Sequence, residues 1–297
     1  MSFELEGVEI EDTYAEAFST FTSRVLITAK NEKWAIETAR EATGFGTSQV
    51  MCPAEAGIDF EPESTPDDRP GVVIQICGPK KDSLEQQLLA RVGQCVLTSP
   101  TAAAFNALDS EEMLGIGNKL RYFGDGFEKD GEVDGRSVRI IPIMSGEFVI
   151  ENQFGITDGV AGGNFFILGG EQDSALEAAE KAVDAIRNVE GTITPFPGGI
   201  VSSGSKVGSI NYSFLHATTN HPYCPTIRDE VEETKLPGDV DAVYEIVING
   251  LDLDKVKKAM ERGIKAAVKV PEVVKISAGN YDGELGKYLI SLEELVD

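Results

Sequence analysis

From Val243 to Gly250 the chain alternates in the two-residue period of a β-strand. Tyr244, Ile246 and Ile248 fall on one face, and Val243, Glu245, Val247 and Asn249 on the other. Asn249-Gly250 closes the run with turn residues, and Leu251 to Ala267 continues at helical spacing. Glu245 therefore stands between two valines on one side of a sheet. An ionised carboxylate is poorly solvated there, and desolvation raises a carboxyl pKa. A Glu245 kept protonated near neutrality would serve as a hydrogen-bond donor or a general acid. Two other environments fit the same pattern: a wet face, or a lysine or arginine paired with the carboxylate.

The same periodicities divide the rest of the chain. Thr13 to Phe21 reads as a short helical start, Arg24 to Ala29 as a strand, and Asn31 to Thr43 as a helix with Trp34, Ala35, Thr38, Ala39 and Ala42 inward, stopped by Gly44-Phe45-Gly46. Strands follow at Ser48 to Cys52 and Val72 to Cys77. Next come a helix from Asp82 to Val92 with Leu84, Leu88, Leu89 and Val92 inward, a strand from Gln94 to Thr98, and a helix over Thr101 to Asn118. A glycine-rich hairpin region from Gly124 to Gly135 precedes a strand at Val138 to Ile143. Beyond Glu147 to Glu151 lie a glycine loop from Gly155 to Gly163, a strand at Asn164 to Leu168, and a helix over Ser174 to Arg187 with Leu176, Ala179, Val183 and Ile186 inward. The chain ends through strands at Ile200 to Ser203, Val243 to Ile248, Pro271 to Ser277 and Lys287 to Leu292.

Strand-helix-strand units therefore recur in two pairs at the spacing of a βαβ unit. The expected architecture is α+β: duplicated ferredoxin-like (β-α-β-β-α-β) sandwiches, with an N-terminal lobe over residues 1–145 and a C-terminal lobe over 146–297, divided at Ser145-Gly146. A doubly wound Rossmann sheet is disfavoured, because no strand leads through G-x-G-x-x-G into a helix with an acidic residue downstream.

With 297 residues the chain has room for two cores. Fifty acidic against 26 basic residues, a formal charge of -24, argue against nucleic acid or an anionic membrane as partner. The acids are spread along the chain, as suits a salt-rich cytoplasm that screens their self-repulsion. The start of the chain has no signal-peptide pattern and no apolar run reaches a membrane-spanning length, so a soluble, cytoplasmic protein is expected. The 4 cysteines, Cys52, Cys77, Cys95 and Cys224, lack C-x-x-C spacing and read as reduced core thiols. Cys52 is a poor nucleophile candidate, since the only 2 histidines are His216 and His221. No metal site is expected.

The loops Gly159 to Asn164, Pro195 to Ser205 and Ala278 to Gly286 leave room for a ligand to approach backbone amides, although none is a P-loop. Plain turns in a chain with 31 glycines would look the same. Taken with Asn164, Asn249, Asn280 and the serines at 202, 203 and 205, they suggest a polar, non-ionic cleft in the second half. Lys206 and Lys287 are candidates for holding a carboxylate or phosphate. The candidate substrate-binding residues are Asn164, Phe196, Pro197, Ser203, Lys206, Asn249 and Asn280, with Glu245 as the catalytic candidate.

Long strings along the whole chain resemble the formylmethanofuran:tetrahydromethanopterin formyltransferase family. They include Thr43-Gly44-Phe45-Gly46-Thr47-Ser48, Met51-Cys52-Pro53-Ala54-Glu55-Ala56-Gly57-Ile58-Asp59, Phe154-Gly155-Ile156-Thr157, Gly159-Val160-Ala161-Gly162-Gly163-Asn164-Phe165, Pro195 to Val201, Tyr223-Cys224-Pro225-Thr226, Tyr244 to Leu251 and Lys275 to Asn280. The resemblance implies reversible transfer of a formyl group between the amine of methanofuran and N5 of tetrahydromethanopterin in archaeal one-carbon metabolism. It implies two ferredoxin-like lobes, no prosthetic group or metal, small-molecule carriers as the only ligands, and a homo-oligomer, expected as a tetramer. The family's active-site acid falls on Glu245. Such an exchange needs aligned substrates, donors at the developing oxyanion and a proton for the departing amine, but no serine or cysteine nucleophile. Two rival expectations are a formyltransferase-like subunit of a bacterial formyltransferase/hydrolase complex and a non-catalytic small-molecule-binding protein.

Overall fold

The computed structural model describes residues 3–296. Thr20 to Gly159 form one compact unit, and the described residues up to Ser19 form a second with those from Val160 onward. These units divide inside two strands. The reason is that Val8, Ile10, Ala15 and Ala17 are buried in the core of the second unit.

In the first unit, β1 (Tyr14–Thr28), α1 (Glu32–Thr43), β2 (Glu55–Phe60), β3 (Gly71–Gly78), α2 (Lys81–Arg91) and β4 (Ala103–Asn106) follow in sequence. β3 pairs with β1 and with β2, and β4 pairs with β1, all antiparallel. The spatial order is thus 4-1-3-2, that of a ferredoxin-like sheet. Ala35, Ala39 and Ala42 of α1 and Leu84 and Leu88 of α2 bury against Val25, Ile27, Ile74 and Ile76 of the sheet. Asn31 starts α1 by accepting the Trp34 N–H at 3.1 Å. The hairpin of β5 (Arg136–Ile143) and β6 (Gly146–Glu151) extends the sheet, because β6 lies parallel to β4.

The second unit repeats the plan. β7 (Phe154–Gly169), α3 (Gln172–Ile186), β8 (Thr192–Ile193), β9 (Ala242–Gly250), α4 (Leu253–Ala267) and β10 (Val273–Ser277) follow in order. β7 lies antiparallel to β9 and to β10, and β8 pairs with β9, giving 4-1-3-2 again. The duplicated ferredoxin-like architecture expected from the sequence is the one observed. Helices α3 and α4 cover one face, where Phe165, Ile167, Ile246 and Ile248 meet Ala179, Val183, Met260 and Ile264. The other face carries Phe166 and Leu168, packed under Tyr223, Leu236 and Val240 of the irregular segment 194–241.

Several element assignments differ from the sequence pattern. All but the first residue of Thr13 to Phe21 belongs to β1, where Ala15 and Ala17 are buried in strand geometry despite their helical propensity. Ser48 to Cys52 is a turn, and the strand begins at Glu55, opposite Cys77. Gln94 to Thr98 holds no strand. The helix instead widens to a π turn over Val92–Val96, so that Val92 and Val96 both reach the core. Thr101 to Asn118 contains β4, a short strand Glu112–Leu114 and only the helix Ile116–Leu120. Its Ala102-Ala103-Ala104-Phe105 run is buried on both faces, and such a run lacks the alternation that would mark a strand. The glycines at 155, 162 and 163 lie within β7. There a Cβ on Gly155 would run into the Leu108 carbonyl, and Gly162 takes φ +86° at a bulge. Ile200 to Ser203 contributes only one bridge, Val201 to Glu245. Leu176, expected inward on α3, is 37% exposed, because Ala175, Ala178 and Ala179 occupy the contact face.

Candidate functional site

Glu245 lies in the middle of β9, on the sheet face away from α3 and α4. Phe166 of β7 is its direct cross-strand partner, and Ser277 of β10 flanks Phe166 on the other side. The Tyr223 ring meets Phe166 edge-on, with centroids 4.8 Å apart and planes at 71°, and its hydroxyl stands 3.3 Å from the Ser277 hydroxyl. Val201 bridges the strand from the outer side. Its N–H donates to the Glu245 carbonyl at 2.8 Å and its carbonyl accepts the Glu245 N–H at 3.0 Å. This bridge delivers Ser202, Ser203 and Gly204 to the acid.

Glu245, Phe166, Ser203, Asn220, Tyr223 and Thr226 line a cleft of about 160 Å³. Ligand pockets are usually about 300–1,000 Å³, so this one fits a reacting group rather than a whole cofactor-sized molecule. Glu245 is half-buried. Burial pushes its carboxyl up to about 7, the sole cause of the shift, and no lysine or arginine pairs with it among the described residues. Of the three environments open from the sequence, the structure thus selects the desolvated, uncompensated acid. Tyr223 is also buried, which raises its phenol pKa, opposed by the hydrogen bond from Ser277.

The other candidates divide between the cleft and its supports. Ser203 lines the cleft beside Glu245. Asn164 is buried and acts on backbone: its Nδ2 donates to the carbonyls of Gly162 (3.2 Å) and Gly279 (3.0 Å), and its Oδ1 accepts the Gly279 N–H at 2.6 Å. Asn249, fully buried, accepts the Gly162 N–H at 3.0 Å and so fixes the bulge in β7. Asn280 donates to the Thr13 hydroxyl and the Tyr14 carbonyl. Lys206 sits on the short ladder Lys206–Val207 with Ala217–Thr218 and donates to the Thr218 hydroxyl at 3.0 Å. Lys287 lies over the Tyr288 ring. Phe196 and Pro197 form the turn that ends at Gly199, apart from the residues lining the cleft.

Phe166 and Tyr223 were not singled out from the sequence, although Tyr223-Cys224-Pro225-Thr226 was among the family-like strings. Phe166 reads as an ordinary core strand residue, and only its pairing opposite Glu245 distinguishes it. Cys52 and Cys77 are buried, Cys95 and Cys224 are half-buried, and all four are free thiols. No cluster of three or more His, Cys, Asp or Glu suited to a metal occurs among the described residues. No helix among them is long and apolar enough to cross a membrane.

Two ferredoxin-like folds, one of which presents a half-buried acid to a small polar cleft, define an α+β protein with a candidate binding site. Comparison with known proteins narrows that class. The chain belongs to the formylmethanofuran-tetrahydromethanopterin formyltransferase family, whose model matches residues 3–143, while the model of that transferase's proximal lobe matches residues 146–295. It is 61% identical, over 98% of its length and 99% of the relative's, to the formylmethanofuran--tetrahydromethanopterin formyltransferase of Methanothermobacter thermautotrophicus. The enzyme of that name from Archaeoglobus fulgidus is 60% identical over the same shares. Among solved structures, the formyltransferase of Methanosarcina barkeri superposes with a TM-score of 0.96 at 58% identity, covering 99% of this chain and 100% of that one. A chain of the formyltransferase/hydrolase complex from Methylorubrum extorquens, solved with methylofuran, gives 0.95 at 40% identity, covering 100% of this chain and 99% of that one.

Proposed function

We propose that this protein moves a formyl group between the amine of methanofuran and N5 of tetrahydromethanopterin, both carriers being bound at once. Names shared by relatives about 60% identical over nearly the full length support the substrate pair. The observation that carries the mechanism is Glu245, held near neutrality by burial alone at the edge of the cleft. In the forward direction N5 attacks the formyl carbon, and the carbonyl oxygen takes up the negative charge of a tetrahedral intermediate. The bond from carbon to the methanofuran nitrogen then breaks. Glu245 delivers its proton to that departing nitrogen and regains one from N5, so the acid ends as it began. A carboxyl with a pKa of about 7 suits both halves of this exchange. Ser203 lines the same cleft, and we assign it the donor to the formyl oxygen.

The reaction needs no prosthetic group or metal, and we expect a cytoplasmic homo-oligomer, a tetramer, in an archaeal one-carbon pathway. The deciding experiment is an absorbance assay for formyl-tetrahydromethanopterin with purified protein and the two carriers. Absence of product in either direction would reject the proposal. The 40% identity to a chain of the Methylorubrum complex motivates a second reading, a subunit that works with a hydrolase. Co-purification of such a partner from the native source would favour it.

A further inference from the structure

Asn220, Tyr223, Cys224, Pro225 and Thr226 form one wall of the Glu245 cleft. They belong to two short helical turns, His221–Tyr223 and Pro225–Glu230, that bond largely to themselves. The Tyr223 N–H donates to the Asn220 carbonyl at 2.9 Å, the Cys224 N–H to the His221 carbonyl at 3.1 Å, and the Cys224 thiol to the Asn220 carbonyl at 3.5 Å. Tyr223 connects this wall to the sheet. Its ring packs edge-on against Phe166, the cross-strand partner of Glu245, and its hydroxyl comes within 3.3 Å of the Ser277 hydroxyl on β10. Both residues are buried, and Ser277 is only 1% exposed. Ser277 lies across Phe166 from Glu245 and outside the residues that line the cleft. A buried hydroxyl that loses its partner has no water to turn to, so each of the two holds the other in place.

The other ionisable groups around the acid do not take over this part. Cys224 lines the cleft as a free thiol. Tyr281, after β10, has a phenol pKa raised first by burial and then by the charge of Glu245. On β10, Lys275 is taken up by Glu9 (3.3 Å) and Glu11 (3.1 Å). Lys235 lies over the Tyr223 ring, 5.7 Å from its centroid. What stands between Glu245 and water on this side is therefore the wall, and the wall is fastened through Tyr223.

We propose that Tyr223 and Ser277 are positioning residues: their hydroxyl contact clamps residues 220–226 to β10, so that the Tyr223 ring stays against Phe166 and water is kept from Glu245. The consequence for the rate rests on the reading of Glu245 as the transfer acid. Ser277 touches no reacting group and acts through Tyr223. Without the clamp the wall lifts, water reaches the carboxyl, and its proton is held less tightly.

The test follows the acid directly and through the rate, in Ser277→Ala, Tyr223→Phe and the double variant. Without carriers, the infrared band of the protonated carboxyl is taken as the difference between each protein and the same protein carrying Glu245→Gln. In the wild type that band should titrate away around pH 7. In each single variant its midpoint should fall by about half a pH unit or more, toward the value of a solvated carboxyl. With both carriers, Ser277→Ala should lose about threefold in kcat at about pH 8 and almost nothing at about pH 5.5, because such a shift changes the protonated fraction only above the pKa. A merely structural defect would lower kcat alike at both. The double variant should shift no further than the larger single one, since all three lose the same contact. The proposal is overturned by an unmoved infrared midpoint in either single variant, by a loss in kcat equal at the two pH values, or by shifts that add. Should Ser277→Ala not fold, the infrared midpoint of Tyr223→Phe decides alone. Wild-type protein that transfers no formyl group rejects the function proposed above while the infrared titration still judges the clamp, whereas active wild type with unmoved midpoints in the variants rejects the clamp only.

Discussion

Phe166 stands directly across the β7–β9 ladder from Glu245, its ring held edge-on by Tyr223. A carboxyl beside that pair loses water on one flank and gains no cation in exchange, which is why burial alone accounts for its raised pKa. The helix-free face of a ferredoxin-like sheet is often left to solvent. Here segment 194–241 folds over part of it and leaves only a cleft at the acid.

If proton delivery is the role of Glu245, Glu245→Ala should cost about 10²-fold or more in kcat. Glu245→Gln keeps a donor for the oxyanion but has no proton to exchange, so it should be nearly as slow. Stopped-flow turnover of both variants checks this, and a fast Gln variant would leave oxyanion stabilisation as the only role. In the wild type, the rate of the step that uses the protonated acid should fall as pH rises through about 7.

The same group sets a pH dependence of stability. Glu245 ionises near 4.5 when unfolded and near 7 when folded, so between those values the folded state keeps a proton the unfolded state has released. Its contribution is complete below about 4.5 and is lost as pH rises through about 7. The loss is at most about 3 kcal/mol, lowered by the water that reaches a half-buried side chain. Glu245→Gln should therefore gain stability relative to wild type from about pH 4 to about pH 8, measured by urea unfolding across that range. A constant difference would place the carboxyl in water.

Asn164 is a clasp between β7 and the loop at Gly279, with its amide oxygen and nitrogen both engaged. Asn164→Leu keeps the approximate volume but leaves the Gly279 N–H and carbonyl without these partners, at a cost of about 1–3 kcal/mol. Denaturant unfolding gives the cost. Amide exchange should locate the loosening at Gly279 to Tyr281, and if it appears elsewhere the clasp is not what holds that loop.

A formal charge of -24 on 297 residues repels itself in dilute buffer. Raising potassium chloride from about 0.05 to about 1 M shortens the screening length from over 10 Å to about 3 Å. The melting temperature should climb across that range. A flat response would mean that local ion pairs such as Lys275 with Glu9 and Glu11 already balance the acids.

The sequence alone determined the duplicated ferredoxin-like plan, the helix face of Ala35 to Ala42, the helix after Leu251, and the anomaly of an acid between Val243 and Val247. These are local properties, written in periods of 3.6 and 2 residues that any reader of the chain can count. It misplaced Thr13 to Phe21, the run at Ala102 and the glycines of β7, because there strand pairing and burial on both faces outweigh local propensity. Only the tertiary structure decided that Asn164 and Asn249 support the backbone, and that Phe166, Tyr223 and Ser203 surround Glu245. It also brought Glu16 under a loop some 265 residues away. Those relationships join residues from distant strands, and a hydrogen bond or a desolvated carboxyl exists only once pairing has set the distances.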